Sequence, residues 1–121
     1  MAQTILVVDD EPQIREIIKQ YFSTIGLIVL EAGDGQAAFD LFNKEPIDLV
    51  ISDIRMPILN GLDLLRLIKL KSPDTPVILM TGYQPTRSQE LAMTTKADGY
   101  LIKPFSLIHL KNIVTQYLRQ A

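Results

Sequence analysis

Five short apolar runs punctuate the chain: TILVV (4–8), LIVLE (27–31), DLVIS (48–52), PVILM (76–80) and GYLI (99–102). The first, third and fourth are apolar on successive positions rather than alternate ones. Both of their faces must therefore be covered, as in a parallel sheet between helical layers. Between the runs the period changes to that of a helix. In 13–22, Ile14, Ile17, Ile18, Tyr21 and Phe22 share one stripe, with Arg15, Glu16 and Lys19 outside it. In 35–43, Ala37, Ala38, Leu41 and Phe42 do the same behind Asp34, a residue suited to an N-cap. Leu64, Leu65 and Ile68 align in 61–70. Leu107, Leu110, Ile113, Val114, Tyr117 and Leu118 align in 106–119, opened by Ser106 as cap.

A helix over 86–96 is the weakest of the set. Thr86 and Gln89 can form a capping box, but Thr94 and Thr95 are poor helix formers. The stretch 84–98 is therefore expected to be the most mobile. Gly26 and Gly33 bracket the second run, and Pro73 and Pro76 mark the loop into the fourth. Each gap between runs holds one crossover helix. The pattern is (βα)5, an α/β domain with a doubly wound parallel sheet, spanning 1–121 as a single unit. Met56, Met80 and Met93 read as packing residues. His109, far from any strand end, reads as a surface residue and not a ligand.

Composition narrows the function. The chain has 121 residues, 47% of them apolar, and a net charge of −2. It has no basic footprint, so nucleic-acid binding by this domain is not expected. It has no cysteine, which excludes disulfides, thiolate catalysis and zinc–thiolate sites. Its start lacks the basic segment and long apolar core of a signal peptide. No stretch approaches the ~18 apolar residues of a membrane span. A cytoplasmic location with no membrane partner is expected.

Ligands of an open parallel sheet bind beyond the carboxyl ends of its strands. The first run ends in Asp9-Asp10-Glu11, the third in Asp53, the fourth in Thr81-Gly82 and the fifth in Lys103-Pro104. The second ends in Glu31-Ala32, to which no chemistry attaches. Two carboxylates ~4 Å apart repel by about 4 kcal/mol at an effective dielectric near 20. Lys103 offsets one charge and a divalent cation offsets two. The donors are all oxygen, which suits Mg²⁺ or Mn²⁺ better than zinc. A hydroxyl and an ammonium around a cation-bound carboxylate make a pocket for a tetrahedral dianion, with Asp53 as a nucleophile that forms an acyl phosphate. Each residue alone has a plainer reading. Asp9-Asp10 would serve a helix N-terminus, Asp53 a turn, Lys103 a solvated surface and Tyr100 ordinary packing. Their coincidence at successive strand ends favours the site.

The motifs ILVVDDEP, LVISDIRMPILNG, VILMTGY and GYLIKPF, in this order, resemble the receiver domain of bacterial two-component response regulators over residues 4–119. The resemblance implies the flavodoxin-like strand order 2-1-3-4-5. It implies that Asp53 accepts the phosphoryl group. It implies a Mg²⁺ cofactor held by Asp10 directly, Asp9 mainly through water, Asp53, and the backbone carbonyl of Arg55. Thr81 and Lys103 are implied to close on the phosphoryl group, with Pro104 in a cis bond that aims Lys103. Thr81 and the switch aromatic Tyr100 are implied to carry the signal to the surface of 86–96, the fifth strand and the last helix. The implied partner is a sensor histidine kinase or phosphotransfer protein. An effector domain beyond this chain and a phosphorylation-dependent homodimer are both left open.

Asn60 stands where many members carry Asp, and Gly82 where a small Ala is common, which should loosen that loop. Arg55 and Tyr83 are bulky at positions that modulate removal of the phosphate by water. Two other classes compete. A haloacid-dehalogenase-type phosphohydrolase needs Asp-x-Asp after its first strand, where this chain has Asp9-Asp10-Glu11-Pro12. A binding module with an unphosphorylated site conflicts with the full set of side chains.

Overall fold

A computed structural model describes residues 2–82 and 97–118. The helix expected over 86–96, with Tyr83 and Met93, lies outside the described residues. The described elements are β1 (Thr4–Val8), α1 (Pro12–Thr24), β2 (Ile28–Ala32), α2 (Gly35–Lys44), β3 (Leu49–Asp53), α3 (Gly61–Lys71), β4 (Val77–Thr81), β5 (Gly99–Ile102) and α4 (Leu107–Leu118). The five strands pair in parallel in the order β2-β1-β3-β4-β5, the flavodoxin-like order.

Strand residues alternate between two apolar layers, as a period of two requires. Ile5, Val7, Leu49, Ile51, Ile78 and Met80 pack with Ile18 and Phe22 of α1 and Leu110, Val114 and Leu118 of α4. Leu6, Val8, Val50, Val77 and Leu79 face the other way, onto Ala38 of α2 and Leu64, Leu65 and Ile68 of α3. Every residue of β1, β3 and β4 is buried, which accounts for their unbroken apolar sequences. The edge strands β2 and β5 leave Ile28, Tyr100 and Ile102 exposed. Deleting a ring at the centre of such a layer, as in Phe22→Ala, costs about 4 kcal/mol.

Local chemistry sets the helix starts. The Asp34 carboxylate accepts from the Ala37 N–H at 2.8 Å, the Asn60 amide oxygen from Asp63 N–H at 2.9 Å, and Ser106 Oγ from His109 N–H at 3.0 Å. Each satisfies one backbone donor that the helix itself cannot. α1 instead begins on Pro12, which has no N–H to satisfy.

At the amino end of the sheet, Lys69 joins three segments. Its Nζ donates to the Asp98 carboxylate at 2.7 Å and to the carbonyls of Thr75 at 2.8 Å and Pro73 at 3.3 Å. The same Asp98 oxygen accepts from Val77 N–H at 2.8 Å, and the Asp98 carbonyl accepts from the Tyr117 hydroxyl. The start of β4, the start of β5 and α4 are thereby locked together.

Candidate functional site

The strand register brings the carboxyl ends into line. Val8 pairs with Ser52, Asp53 with Met80, and Thr81 with Ile102. Asp9 therefore follows β1 beside Asp53, and Lys103 follows β5 beside Thr81. Backbone bonds beyond the ladders fix these ends: Asp9 N–H donates to the Ala32 carbonyl at 3.1 Å, Ile54 N–H to Met80 at 2.9 Å, and Lys103 N–H to Thr81 at 2.6 Å. The Lys103–Pro104 peptide bond is cis.

Lys103 Nζ donates to Asp9 Oδ2 at 2.7 Å and Asp53 Oδ2 at 3.2 Å, with Glu11 Oε1 further off at 3.8 Å. Asp9 is fully buried and its other oxygen accepts from Glu11 N–H at 2.9 Å. Carboxylate oxygens of Asp9, Asp10 and Asp53 lie within 4.8 Å of one another, with Asp10 on the exposed side. Thr81 is buried at the adjacent strand end. Tyr100, at mid-β5, points outward and is 46% exposed. Arg55 is exposed, and its backbone N–H donates to the Asp53 carboxylate.

One ammonium faces two buried carboxylates, with a third close by. Burial pushes the Asp53 carboxyl above its ordinary value. Lys103 pulls it down, the Asp9 charge pushes it up again, and the net direction is upward. Burial alone would lower Lys103. The Asp9 hydrogen bond and the charges of Asp53 and Asp9 outweigh that and hold the ammonium above its ordinary value. Three clustered oxygen donors without sulfur or imidazole fit a hard divalent cation.

The loop after Asp53 is held by contacts that tolerate no side chain. A Cβ on Gly61 would sit 2.2 Å from the Asp53 carbonyl oxygen, and one on Gly35 would sit 2.1 Å from that of Leu59. Gly61 thus lets α3 start directly against the end of β3, and Gly61 N–H donates to the Ile54 carbonyl at 2.8 Å. Between these anchors Leu59 N–H bonds back to the Pro57 carbonyl at 2.8 Å, which forces the intervening Ile58 to φ 72°. A β-branched residue is strained there, and its side chain is 80% exposed.

The structure also brings in a residue assigned above to the solvent side of α1. Arg15 Nη1 donates to the Asp9 carbonyl at 2.6 Å and its Nε to Glu31 at 3.3 Å. The helical stripe gave no sign of this, because a long side chain can leave its own face and return to the sheet.

Comparison with known proteins decides the family. The model of the response regulator receiver domain matches residues 5–115. The chain belongs to this family. Among solved structures, a response regulator receiver domain protein from Clostridium thermocellum is 35% identical with a TM-score of 0.90, covering 98% of this chain and 95% of that one. The response regulator TrrA from Thermotoga maritima, solved in complex with Mg²⁺ and BeF, is 39% identical with a TM-score of 0.86, covering 95% and 98%. A probable transcriptional regulator, ycf27, of Guillardia theta is 37% identical over 98% of this chain and 46% of its own length. The autoinducer 1 sensor kinase/phosphatase LuxN of Vibrio campbellii is 35% identical over 98% of this chain and 14% of its own. The receiver domain thus spans less than half of either of these curated relatives. No helix among the described residues is long and apolar enough to cross a membrane.

Proposed function

We propose that this receiver domain is a phosphorylation switch whose acceptor is Asp53. The observation that carries the reading is the bridging of Asp9 and Asp53 by Lys103 Nζ, at 2.7 and 3.2 Å, with Asp10 beside them. Such a cluster is short of positive charge and shaped for a small anion that arrives with a cation. Asp9, Asp10, Asp53 and the Arg55 carbonyl would hold Mg²⁺, which when bound neutralises the acceptor and the phosphoryl oxygens together. The Mg²⁺–BeF complex of the TrrA relative supports this choice.

A partner histidine kinase or phosphotransfer protein supplies a phosphohistidine. The Asp53 carboxylate oxygen forms a bond to phosphorus as the P–N bond breaks, and the imidazole leaves with the electron pair. Lys103 and the Thr81 hydroxyl stabilise the equatorial oxygens. Water later cleaves the acyl phosphate, so the domain catalyses only its own modification and reset. An apolar cleft of Ile14, Ile17, Pro104, Phe105 and Leu107 adjoins Lys103 and supports approach of a protein donor. Thr81 moves toward the phosphoryl group, Tyr100 turns into the vacated space, and the surface of β5 and α4 shifts in population. An effector domain outside this chain, in a cytoplasmic regulator, would read that shift.

Incubation with acetyl phosphate and Mg²⁺ tests the reading. Intact-mass measurement should show one added phosphoryl group, absent without Mg²⁺ and absent in Asp53→Asn. Labelling that survives Asp53→Asn, or none in the wild type, refutes it. Arg55 and Tyr83 should shield the acyl phosphate from water. Decay of phospho-Asp53 is then expected to quicken about tenfold in Arg55→Ala/Tyr83→Ala, and an unchanged half-life removes that role.

A further inference from the structure

We infer that Arg15 is a positioning residue for the acidic pair, acting from behind the site through the Asp9 backbone and anchored by Glu31 at the end of β2. The inference rests on the reading of the cluster as a cation and phosphoryl site. Among the described residues Asp9 has four polar contacts, and three hold it to its own surroundings at the strand ends. Its N–H bonds to Ala32, one carboxylate oxygen to Glu11 N–H and the other to Lys103. The fourth is the carbonyl, and it is taken by Arg15 Nη1 at 2.6 Å.

That carbonyl belongs to the peptide plane joining Asp9 to Asp10. Holding it fixes the direction in which Asp10 leaves the strand. Asp10 is the exposed member of the acidic trio, and among the described residues its side chain makes no hydrogen bond. Its carboxylate is therefore aimed by its backbone, and the backbone is aimed by Arg15.

Geometry separates this role from a bare charge effect. Arg15 Nε is engaged with Glu31 Oε1 at 3.3 Å, and Lys19 lies 3.5 Å from Glu31 Oε2. Arg15 and Lys19 thus share the one Glu31 carboxylate, and the contact of Arg15 with Asp9 is to a neutral carbonyl. The planar fork lets one side chain bond Glu31 and the Asp9 carbonyl at once, which an ammonium cannot do in the same plane. Glu31, at a strand end to which no chemistry attached, acquires a purpose as the post that holds the fork in place. The Arg15 side chain is only 19% exposed, so the arrangement is packed and not a loose surface pair.

Calorimetric titration with Mg²⁺, at a temperature where every variant is folded, tests the inference. Arg15→Met is expected to raise the Mg²⁺ Kd about tenfold, within the range that follows loss of groups orienting metal ligands. Glu31→Gln should raise it in the same direction by less. Arg15→Lys keeps the charge and loses the fork, and should weaken binding nearly as much as Arg15→Met. A merely structural ion pair would lower the unfolding midpoint and leave the Mg²⁺ Kd of the folded variants at the wild-type value. That result, or full wild-type affinity in Arg15→Lys, overturns the inference. A wild-type protein that binds no Mg²⁺ overturns the reading of the whole site instead, so the two failures are distinct. Should Arg15→Met not fold, Glu31→Gln carries the test, and an unchanged Kd in that variant counts against the role.

Discussion

Two lysines sit at opposite ends of the sheet with nearly the same burial and quite different company. Lys69 is 17% exposed and Lys103 is 16% exposed. Among the described residues Lys69 meets one carboxylate, Asp98, and two backbone carbonyls, so charge is matched one to one and each donor has an acceptor. Lys103 meets Asp9 and Asp53 with Glu11 behind, and Asp10 stands beside them, so negative charge is in excess. Matched charge at the amino end closes loops. Among the described residues, the excess of negative charge at the carboxyl end leaves a demand for further positive charge. Parallel pairing explains the placement, because it aligns all five carboxyl ends on one edge and lets single residues from β1, β3, β4 and β5 converge there.

Labelling kinetics should show the difference most strongly. Lys103→Ala is expected to slow acetyl phosphate labelling about 100-fold, the loss typical of one donor to a developing oxyanion. Lys69→Ala should leave the rate close to that of the wild type. Equal slowing in both variants would erase the contrast.

Unfolding should reverse the order. Lys69→Ala strands Asp98 half-buried and is expected to cost about 2 kcal/mol, read as a lowered denaturant midpoint at unchanged slope. Lys103→Ala should cost less once Mg²⁺ is present, because the cation takes over the neutralising role.

Smaller, and opposite in sign, is the effect of removing an acid. The fold raises the Asp53 carboxyl above its ordinary value, so it favours the neutral form. The stability this gives is present below the ordinary carboxylate range and is lost as pH rises through the raised value. Without Mg²⁺ at neutral pH, Asp53→Asn should therefore gain about 1 kcal/mol, and the gain should fade on acidification. Asp98→Asn should lose stability at neutral pH. A loss in Asp53→Asn at neutral pH would contradict the excess of negative charge.

Much of this contrast was legible before the fold was known, but only at one end. The three interior strands are buried throughout, so continuous apolar runs marked them and the residues closing each run marked the site. The third strand extends one residue further than its apolar run, to Asp53 itself, because the ladder with Met80 continues past Ser52. Thr81 and Lys103 stood out by the same logic. The Lys69–Asp98 lock did not, since it joins residues 29 apart through a contact that no period encodes. Arg15 was missed because a helical stripe records the Cα face and not the reach of a long side chain. In the sequence Gly61 only opens the helical segment 61–70. Its stricter duty, admitting α3 against the Asp53 carbonyl, appears only when the two backbones meet.

The central claim is that the carboxyl-end cluster takes up a divalent cation through Asp10 and Asp53. Thermal unfolding with and without Mg²⁺ tests it most directly. At a concentration about a hundred times its Kd, Mg²⁺ should stabilise the wild type and Lys69→Ala alike by about 2.7 kcal/mol. Asp10→Asn/Asp53→Asn should show none of this gain. A wild-type midpoint that does not move with Mg²⁺, or a double variant that responds as the wild type does, would contradict the account.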